Sequence, residues 1–337
     1  MPEHSENGWF DDMIRETSGR SSSPFCIKET EEGETCGGTG DRTREEGKMQ
    51  CEVIRHPDRS RVFLECILLS SGLRLGQSTR RPAVVICPGG GYIYQSPREG
   101  EPVAAAYLAK GIHAFVLHYS VGWDVAGFTP LQEIDWAIGA IRSHADEWNI
   151  DPDKIFTCGF SAGGHLALAA GLLGTNRPNG VILGYPAVTF AGEGMDMMCR
   201  FLTGHDTPTE EEERWLNLPA QVTKDAPSLF VFTTAEDSLT YGPSLELALA
   251  YARQGLPCEL HIFEKGPHGY ALAEPSSADG SSQVIDPHAA KWLDLSAEWL
   301  FAVTGGLEHK DYSTSHIMEE AKKLGFDLSG MAGGGNA

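Results

Sequence analysis

From residue 49 onward, short apolar segments of the chain alternate with longer helical patterns. Such alternation is typical of a mostly parallel β-sheet that helices cover on both faces. The sequence therefore predicts an α/β fold over residues 49–303. The segments of strand length, rich in β-branched and aromatic residues, begin at Arg61, Pro82, His113, Lys154, Val181, Ser228 and Cys258.

The helical segments show the periodicity of buried helix faces. Apolar residues repeat at spacings of three, four and three in the clearest of them, at Leu131, Ile134, Ile138 and Ile141. A second helix is expected directly after Ser161, where the sequence is small and apolar on nearly all sides, as in a helix packed against the centre of a sheet. Further helices are expected from Glu101, Ser244 and Ala289.

Three other segments differ in composition from the alternating pattern. Residues 1–48 are rich in Ser, Gly, Thr and Glu without an apolar period, so we expect them to be disordered or loosely docked. Residues 191–226 form a longer excursion, expected to be a cap-like insertion over a sheet end. In this excursion Thr209 and Glu212 have the spacing of a capping box. Residues 304–337 form a tail with one expected amphipathic helix, marked by Ile317, Ala321 and Leu324.

The charge of the chain argues against polyanionic partners. The 337 residues carry a formal net charge of −21, which repels nucleic acid and anionic membrane surfaces. We see neither an export signal nor a long uninterrupted apolar run, and the eight cysteines form no C-x-x-C pair. We therefore expect reduced cysteines, a cytoplasmic location, and no nucleic-acid or membrane partner.

One serine lies in a sequence context that suggests a nucleophile. Gly159-Phe160-Ser161-Ala162-Gly163 satisfies G-x-S-x-G, directly after an expected strand and at the start of an expected helix. A strained turn between strand and helix lifts the serine Oγ away from the backbone, and larger side chains two residues to either side would collide with the neighbouring elements. Ser161 is therefore the candidate nucleophile, although a serine between glycines also occurs as plain turn chemistry.

Backbone amides that could stabilise an oxyanion occur in two places. The Ala162 amide lies at the helix N-terminus, where it can point toward an oxyanion formed by attack on a carbonyl. The second donor is expected from the glycines in "VVICPGGGY", which follow an early strand and allow close approach of a substrate oxygen. We expect Gly90, Gly91 and Ala162 to form the oxyanion hole.

An acid and a base follow later strands. Glu236 and Asp237 come at the end of "SLFVFTT", and His268 lies in a Gly/Pro-containing loop just past the last expected strand. The two hydrogen bonds of a triad require all three groups at the same sheet edge. We expect His268 to be the base and Asp237 to orient it, with Glu236 as the alternative acid.

These motifs together resemble a known family. The order Ser161, Asp237, His268 is that of α/β-hydrolases. Between about residues 50 and 303 the chain resembles the acetyl-esterase and acetyl-xylan-esterase-like branch of that superfamily, related to the hormone-sensitive-lipase-like carboxylesterases. The motifs that carry the resemblance are "PGGGY", "REGEPVA", "DPDKIFTCGFSAGGHLA", "TAEDS" and "FEKGPHGYALA".

The resemblance implies an α/β-hydrolase fold and a serine esterase that needs no cofactor. Its substrate would be a small-molecule or oligosaccharide ester with a short acyl group, such as an O-acetyl group on a xylose-type sugar. The chain departs from the family pattern in two places. Pro88 stands where many relatives have histidine, and "LHYS" at Leu117 to Ser120 replaces a more usual Tyr-Arg pair, which changes the expected contacts around that position.

Other side chains near the expected site have less specific interpretations. His165 lies one helical turn after Ser161, beside the turn, and we expect it to be a packed, hydrogen-bonded structural residue. Tyr92 and Tyr270 adjoin the glycine and histidine loops, so we expect them to contact substrate, with core or rim packing as the alternative. No metal-ligand spacing occurs among the twelve histidines, and no metal site is expected.

Two other functions are compatible with the same residues. A peptidase or amide hydrolase could use the same triad, but the chain lacks the propeller-like N-terminal repeats of oligopeptidases. A non-catalytic small-molecule-binding protein could keep the fold and lose the chemistry, which the joint presence of Ser161, Asp237 and His268 disfavours. The sequence specifies neither the acyl length nor an oligomeric state.

Overall fold

The computed structural model describes residues 49–69, 80–190 and 196–306, together with residues 322, 323 and 325. They form an eight-stranded sheet of order β1-β2-β4-β3-β5-β6-β7-β8. β2 runs antiparallel to both β1 and β4, whereas β4, β3 and β5 to β8 are mutually parallel. The strands are β1 Gln50–Arg55, β2 Phe63–Leu68, β3 Arg81–Cys87, β4 His113–His118, β5 Ile150–Phe160, β6 Gly180–Gly184, β7 Ser228–Thr234 and β8 Cys258–Phe263.

Helices lie on both faces of this sheet, because alternate residues of the buried strands point to opposite sides. In β3, Ala83 and Val85 belong to one apolar cluster, whereas Val84 and Ile86 belong to another. Helices α2, α4 and α7 pack into the first cluster, and α1 and α8 into the second. The helices are α1 Glu101–Ala109, α2 Pro130–Ser143, α3 Ala145–Trp148, α4 Ala162–Leu173, α5 Asp196–Thr203, α6 Glu210–Leu216, α7 Tyr241–Arg253 and α8 Trp292–Val303.

The predicted α/β-hydrolase fold is confirmed, with local differences. The edge strand β1 is additional to the predicted strands. β6 ends at Gly184 and not at Val188, because Tyr185 has a φ of 33° and its amide turns to the Phe232 carbonyl. Helix α7 begins at Tyr241, three residues before the expected start, which brings Asp237 next to its first turn.

The described part of the excursion, residues 196–226, contains helices α5 and α6. The predicted capping box is confirmed: the Thr209 side chain accepts from the Glu212 amide, and the Glu212 side chain accepts from the Thr209 amide. The predicted N-terminal segment, residues 1–48, and the tail helix predicted from Ile317, Ala321 and Leu324 lie outside the described residues. None of the helices in the described ranges is long and apolar enough to cross a membrane.

Candidate active site

Ser161 occupies the sharp turn between β5 and α4. Its backbone has φ 51° and ψ −120°, a conformation that a non-glycine residue rarely adopts and that is associated with functional sites. A Cβ on Gly159 would lie 2.1 Å from the Gly163 carbonyl oxygen, and one on Gly163 would lie 2.0 Å from that of Cys87. Both flanking positions therefore require glycine, as the motif predicts.

The three predicted polar residues meet at the carboxyl edge of the parallel strands. His268 Nε2 lies 2.9 Å from the Ser161 Oγ, and His268 Nδ1 lies 2.8 Å from Asp237 Oδ2. These residues come from the loops after β5, β7 and β8. The arrangement supplies a hydroxyl, an imidazole beside it, and a carboxylate that orients the imidazole.

Asp237 is held by further donors on the first turn before α7. Its Oδ2 accepts from the Thr240 hydroxyl at 2.6 Å, and its Oδ1 accepts from the Leu239 amide at 3.1 Å. Burial by itself raises the pKa of Asp237, but the hydrogen bonds from His268 and Thr240 outweigh burial and hold the pKa below its ordinary value. Asp237 therefore contacts both His268 and the residues that precede helix α7.

Glu236, the alternative acid, points elsewhere. Its Oε2 accepts from the amide of Gly266 at 3.0 Å, and its side chain is exposed. Asp237 is therefore the carboxylate that contacts His268, and Glu236 ties the histidine loop to the end of β7.

Of the predicted oxyanion donors, Ala162 directly follows Ser161, and the glycine loop approaches Ser161 at Gly89, where an added Cβ would lie 3.0 Å from the Ser161 Cβ. Gly90 and Gly91 have φ values of 121° and 63°, and the Gly90 carbonyl accepts from the amides of Ile93 and Tyr94. Within the described residues, no hydrogen bond to a protein acceptor uses the amides of Gly90, Gly91 or Ala162. These amides are therefore available to an oxygen ligand.

The two tyrosines expected to contact substrate are buried, which agrees with the alternative of core packing. Tyr92 is 0% exposed and Tyr270 is 1% exposed. The Tyr92 ring packs among Tyr119 and Phe128, and the Tyr270 ring packs against Tyr185. Both tyrosines are next to a site loop in sequence, but their side chains point into the core.

His165 has the structural role that the sequence predicts. Its Nε2 donates to the Trp215 carbonyl at 2.6 Å, and its Nδ1 accepts from the Tyr92 hydroxyl at 2.9 Å. Burial lowers the pKa of His165 to about 3, so the ring is neutral at pH 7. His165 therefore connects helix α4 to the end of helix α6 and to the segment after the glycines.

Two site residues, Glu99 and Tyr185, were not among those predicted. Glu99 accepts from the amide of Gly89 at 2.7 Å and from the hydroxyl of Tyr185 at 2.6 Å. Burial raises the pKa of Glu99, although hydrogen bonds from Tyr185 and Gly89 oppose the rise. Both had a detectable signal. Tyr185 directly follows β6 at the edge that carries Ser161, and Glu99 belongs to the motif "REGEPVA".

Ser120, in the segment that departs from the family pattern, contacts the buried carboxylate of Glu133. Glu133 accepts from the amide and hydroxyl of Ser120, at 2.7 and 2.6 Å, and from Arg59 at 2.6 Å. The hydroxyl of Tyr119 donates to the Pro88 carbonyl. An arginine from the β1–β2 loop therefore shares the Glu133 carboxylate with Ser120.

No group of three or more His, Cys, Asp or Glu side chains is arranged to hold a metal ion within the described ranges.

A family model described as BD-FAE matches residues 73–205, which include Ser161 but neither Asp237 nor His268. Among curated proteins, the chain is 33% identical over 222 residues to endo-1,4-beta-xylanase B of Butyrivibrio fibrisolvens, covering 60% of this chain and 34% of that protein. The chain spans between 19% and 41% of the length of the curated relatives it matches.

Solved structures match over nearly their full lengths. An α/β hydrolase enzyme, MGS-M1, from a Medee basin deep-sea metagenome library is 35% identical with a TM-score of 0.67, and the match covers 77% of this chain and 99% of that one. An acetyl ester-xyloside bifunctional hydrolase from Caldicellulosiruptor lactoaceticus is 28% identical with a TM-score of 0.63, covering 77% and 98%. The chain therefore belongs to the α/β-hydrolases.

Proposed function

We propose that the protein is a serine carboxylesterase that removes short acyl groups, in particular O-acetyl groups on xylose-type saccharides, through an acyl-enzyme intermediate. The observation that carries the proposal is the continuous hydrogen-bonded chain from Ser161 Oγ through both imidazole nitrogens of His268 to Asp237. Nucleophile, base and orienting acid are thus already within contact distance.

The proton positions follow from the acceptor at each end of the imidazole. Asp237 is held as a carboxylate, which can only accept, so the proton of neutral His268 resides on Nδ1. The lone pair on Nε2 then faces the Ser161 hydroxyl. As Ser161 Oγ attacks the acyl carbonyl, Nε2 takes the hydroxyl proton, and the resulting imidazolium is stabilised by Asp237.

The negative charge that develops on the substrate oxygen requires fixed donors. The amides of Ala162, Gly90 and Gly91 supply them, and the N-terminus of α4 adds its dipole. Collapse of the tetrahedral intermediate expels the alcohol, which receives the proton from His268 Nε2. Water then attacks the acyl-enzyme, with His268 acting first as base and then as acid, and releases the carboxylic acid.

Exposed aromatic side chains support a saccharide as the alcohol component. Tyr94, next to the glycine loop, is 50% exposed, and Trp123, on the loop after β4, is 77% exposed with its ring 5.9 Å from that of Phe201. Both loops lie at the carboxyl edge of the parallel strands, where Ser161 is found. Aromatic faces at such positions can pack on sugar rings. The acetyl ester-xyloside hydrolase among the structural neighbours is consistent with this substrate class.

Hydrolysis of para-nitrophenyl acetate by the purified chain, compared with Ser161→Ala, tests the proposal. We expect Ser161→Ala to lose all but a residual activity, about 10⁶-fold below wild type. A fluorophosphonate probe should label the wild-type protein and not the variant. Absence of labelling and of ester cleavage in the wild type would favour a non-catalytic binding protein.

The substrate class is tested by rates on a matched panel. We expect kcat/KM to fall as the acyl chain lengthens from acetyl to octanoyl, and acetate to be released from acetylated xylo-oligosaccharides. Faster cleavage of a peptide or anilide than of the matching ester would favour the amide-hydrolase alternative.

A further inference from the structure

A buried carboxylate connects the two loops on which catalysis at this site would depend. Glu99 Oε2 accepts from the Gly89 amide at 2.7 Å, and Glu99 Oε1 accepts from the Tyr185 hydroxyl at 2.6 Å. The Tyr185 oxygen in turn accepts from the Ala271 amide at 2.9 Å. A single side chain thus joins the glycine loop to the loop that carries His268.

Each end of this chain of hydrogen bonds lies against a reacting group. A Cβ on Gly89 would lie 2.8 Å from Glu99 Oε2 and 3.0 Å from Ser161 Cβ, so the carboxylate and the nucleophile flank the same backbone unit. At the other end, the Tyr185 ring packs edge to face against the His268 imidazole, with 5.1 Å between ring centroids. Movement of either end would therefore displace a group that must contact substrate or Ser161.

The neighbouring side chain of the same turn forms a second connection. Arg98 Nη2 donates to the Gly269 carbonyl at 2.7 Å, one residue beyond His268. Arg98 and Glu99 lie on the 3₁₀ turn Pro97–Glu99, which follows the glycine loop directly. This short turn therefore holds the histidine loop at two places, Gly269 and Ala271.

Burial of the Glu99 carboxylate is energetically unfavourable, and its hydrogen-bond partners indicate a role other than stability. Glu99 is 3% exposed, and among the described residues no Lys, Arg or His nitrogen lies within 4.0 Å of its carboxylate. Burying a carboxylate without an ion pair seldom increases stability, and apolar packing would do so at lower cost. Both oxygens of Glu99 instead accept from donors that belong to, or hold, the two site loops.

We propose that Glu99 is a positioning residue that sets the oxyanion loop and the histidine loop at a fixed distance, through Gly89 on one side and Tyr185 on the other. The inference rests on the proposed function of this site. With Gly89 held by the carboxylate, the following amides of Gly90 and Gly91 stay directed at the substrate oxygen. With Tyr185 held, the loop that carries His268 stays against Ser161.

Three variants test the proposal: Glu99→Gln, Tyr185→Phe and the double variant. A glutamine can accept only one of the two hydrogen bonds and presents an amino group at the other position, so either the Tyr185 hydroxyl or the Gly89 amide loses its acceptor with little change in volume. Tyr107→Phe is the matched control, because it also removes a fully buried tyrosine hydroxyl, one that lies 2.9 Å from Ser296 and takes no part in the connection between the two loops.

We expect Glu99→Gln to lower kcat on para-nitrophenyl acetate by about 10–100-fold with KM within about threefold, since misplaced catalytic groups cost rate more than binding. Tyr185→Phe should lower kcat by about 3–10-fold. The double variant should fall no further than Glu99→Gln, because both changes interrupt one chain of contacts. Affinity for a trifluoromethyl ketone, which forms an oxyanion adduct with the serine, should fall in parallel with kcat/KM, while Tyr107→Phe keeps both values.

The outcomes separate this proposal from the function on which it rests. An inactive, unlabelled wild type would overturn the proposed function itself. With an active wild type, wild-type kcat and ketone affinity in Glu99→Gln would overturn the positioning role and leave the esterase intact. Losses in kcat that multiply in the double variant would likewise overturn it. So would a loss in Tyr107→Phe equal to that in Tyr185→Phe, measured well below the thermal midpoint of each protein.

Discussion

Asp237 and His268 are 31 positions apart in the chain, and Oδ2 of the first lies 2.8 Å from Nδ1 of the second. The same oxygen accepts from Thr240, so it cannot rotate away from the imidazole without losing a second hydrogen bond. We expect Asp237→Asn to lower kcat by about 10⁴-fold, because an amide NH₂ at this place favours the wrong imidazole tautomer. Steady-state hydrolysis of para-nitrophenyl acetate measures the loss.

Glu236→Gln is the matched control for that variant. Glu236 contacts Gly266 and not His268, and its exposed side chain predicts a kcat within about twofold of wild type. A large loss in Glu236→Gln together with a mild one in Asp237→Asn would contradict the assignment of the acid.

The neutral state of His165 predicts a pH-dependent stability. Its pKa is about 3 in the folded protein and near 6.5 in the unfolded chain, so between these values the unfolded state binds a proton that the folded state does not. The free energy of unfolding should therefore fall on acidification below about pH 6.5, with a contribution from His165 of up to about 1.4 kcal/mol per pH unit. His113, whose pKa burial lowers to about 4, acts in the same direction.

Urea unfolding at pH 7 and pH 5 isolates the contribution of His165 when the wild type is compared with His165→Gln. Glutamine can accept from Tyr92 and donate to Trp215 but does not titrate. The variant should lose about 1–3 kcal/mol at pH 7 and show a smaller decrease between the two pH values. Equal decreases in both proteins would rule out this account of the histidine.

The closeness of helix α4 to β3 predicts that Gly163 tolerates no side chain. A Cβ at Gly163 would lie 2.0 Å from the Cys87 carbonyl oxygen and 2.4 Å from that of Pro88, both backbone atoms. We expect Gly163→Ala to lower the free energy of unfolding by at least about 3 kcal/mol and to abolish activity. Gly242→Ala, on α7 with no atom within 4 Å of the added Cβ, should leave stability unchanged or slightly higher. Chemical denaturation of both variants gives the comparison.

We expect Arg59, which contacts buried Glu133, to contribute to the free energy of unfolding, and the nearby Arg61 to contribute little. Arg59→Ala leaves Glu133 with only the Ser120 donors and should cost about 1–3 kcal/mol. Arg61 lies 3.7 Å from Asp124 with both side chains exposed, so Arg61→Ala should change stability by less than about 0.5 kcal/mol. Similar losses in the two variants would show that Glu133 does not need Arg59.

The exposed ring of Trp123 predicts an effect limited to saccharide substrates. If the sugar packs on this ring, Trp123→Ala should raise KM for acetylated xylo-oligosaccharides by about 2–10-fold. KM for para-nitrophenyl acetate, which has no sugar, should stay at the wild-type value. An equal rise in KM for both substrates would indicate that Trp123 supports the structure of the site and does not bind the saccharide.

The chain order of the polar residues and the periodicity of the strands were sufficient to predict the fold and the group of residues at Ser161. The strand-to-helix turn needs glycine on both sides of the serine for steric reasons that are local in sequence. The parallel strands then bring the loops that follow β3, β5, β7 and β8 to one edge, which is a property of the topology alone. Asp237 and His268 could therefore be proposed as neighbours without coordinates.

Only the tertiary structure decided where individual side chains point. Tyr92 and Tyr270 stand beside the site in sequence and are buried, whereas Glu99, a residue of the motif "REGEPVA" to which the sequence assigned no role, accepts hydrogen bonds from both Gly89 and Tyr185. Local sequence determines backbone turns and the period of a buried face, both of which depend on near neighbours. The direction of a side chain and the partner of a buried carboxylate depend on packing between segments far apart in the chain, which residue spacing does not encode.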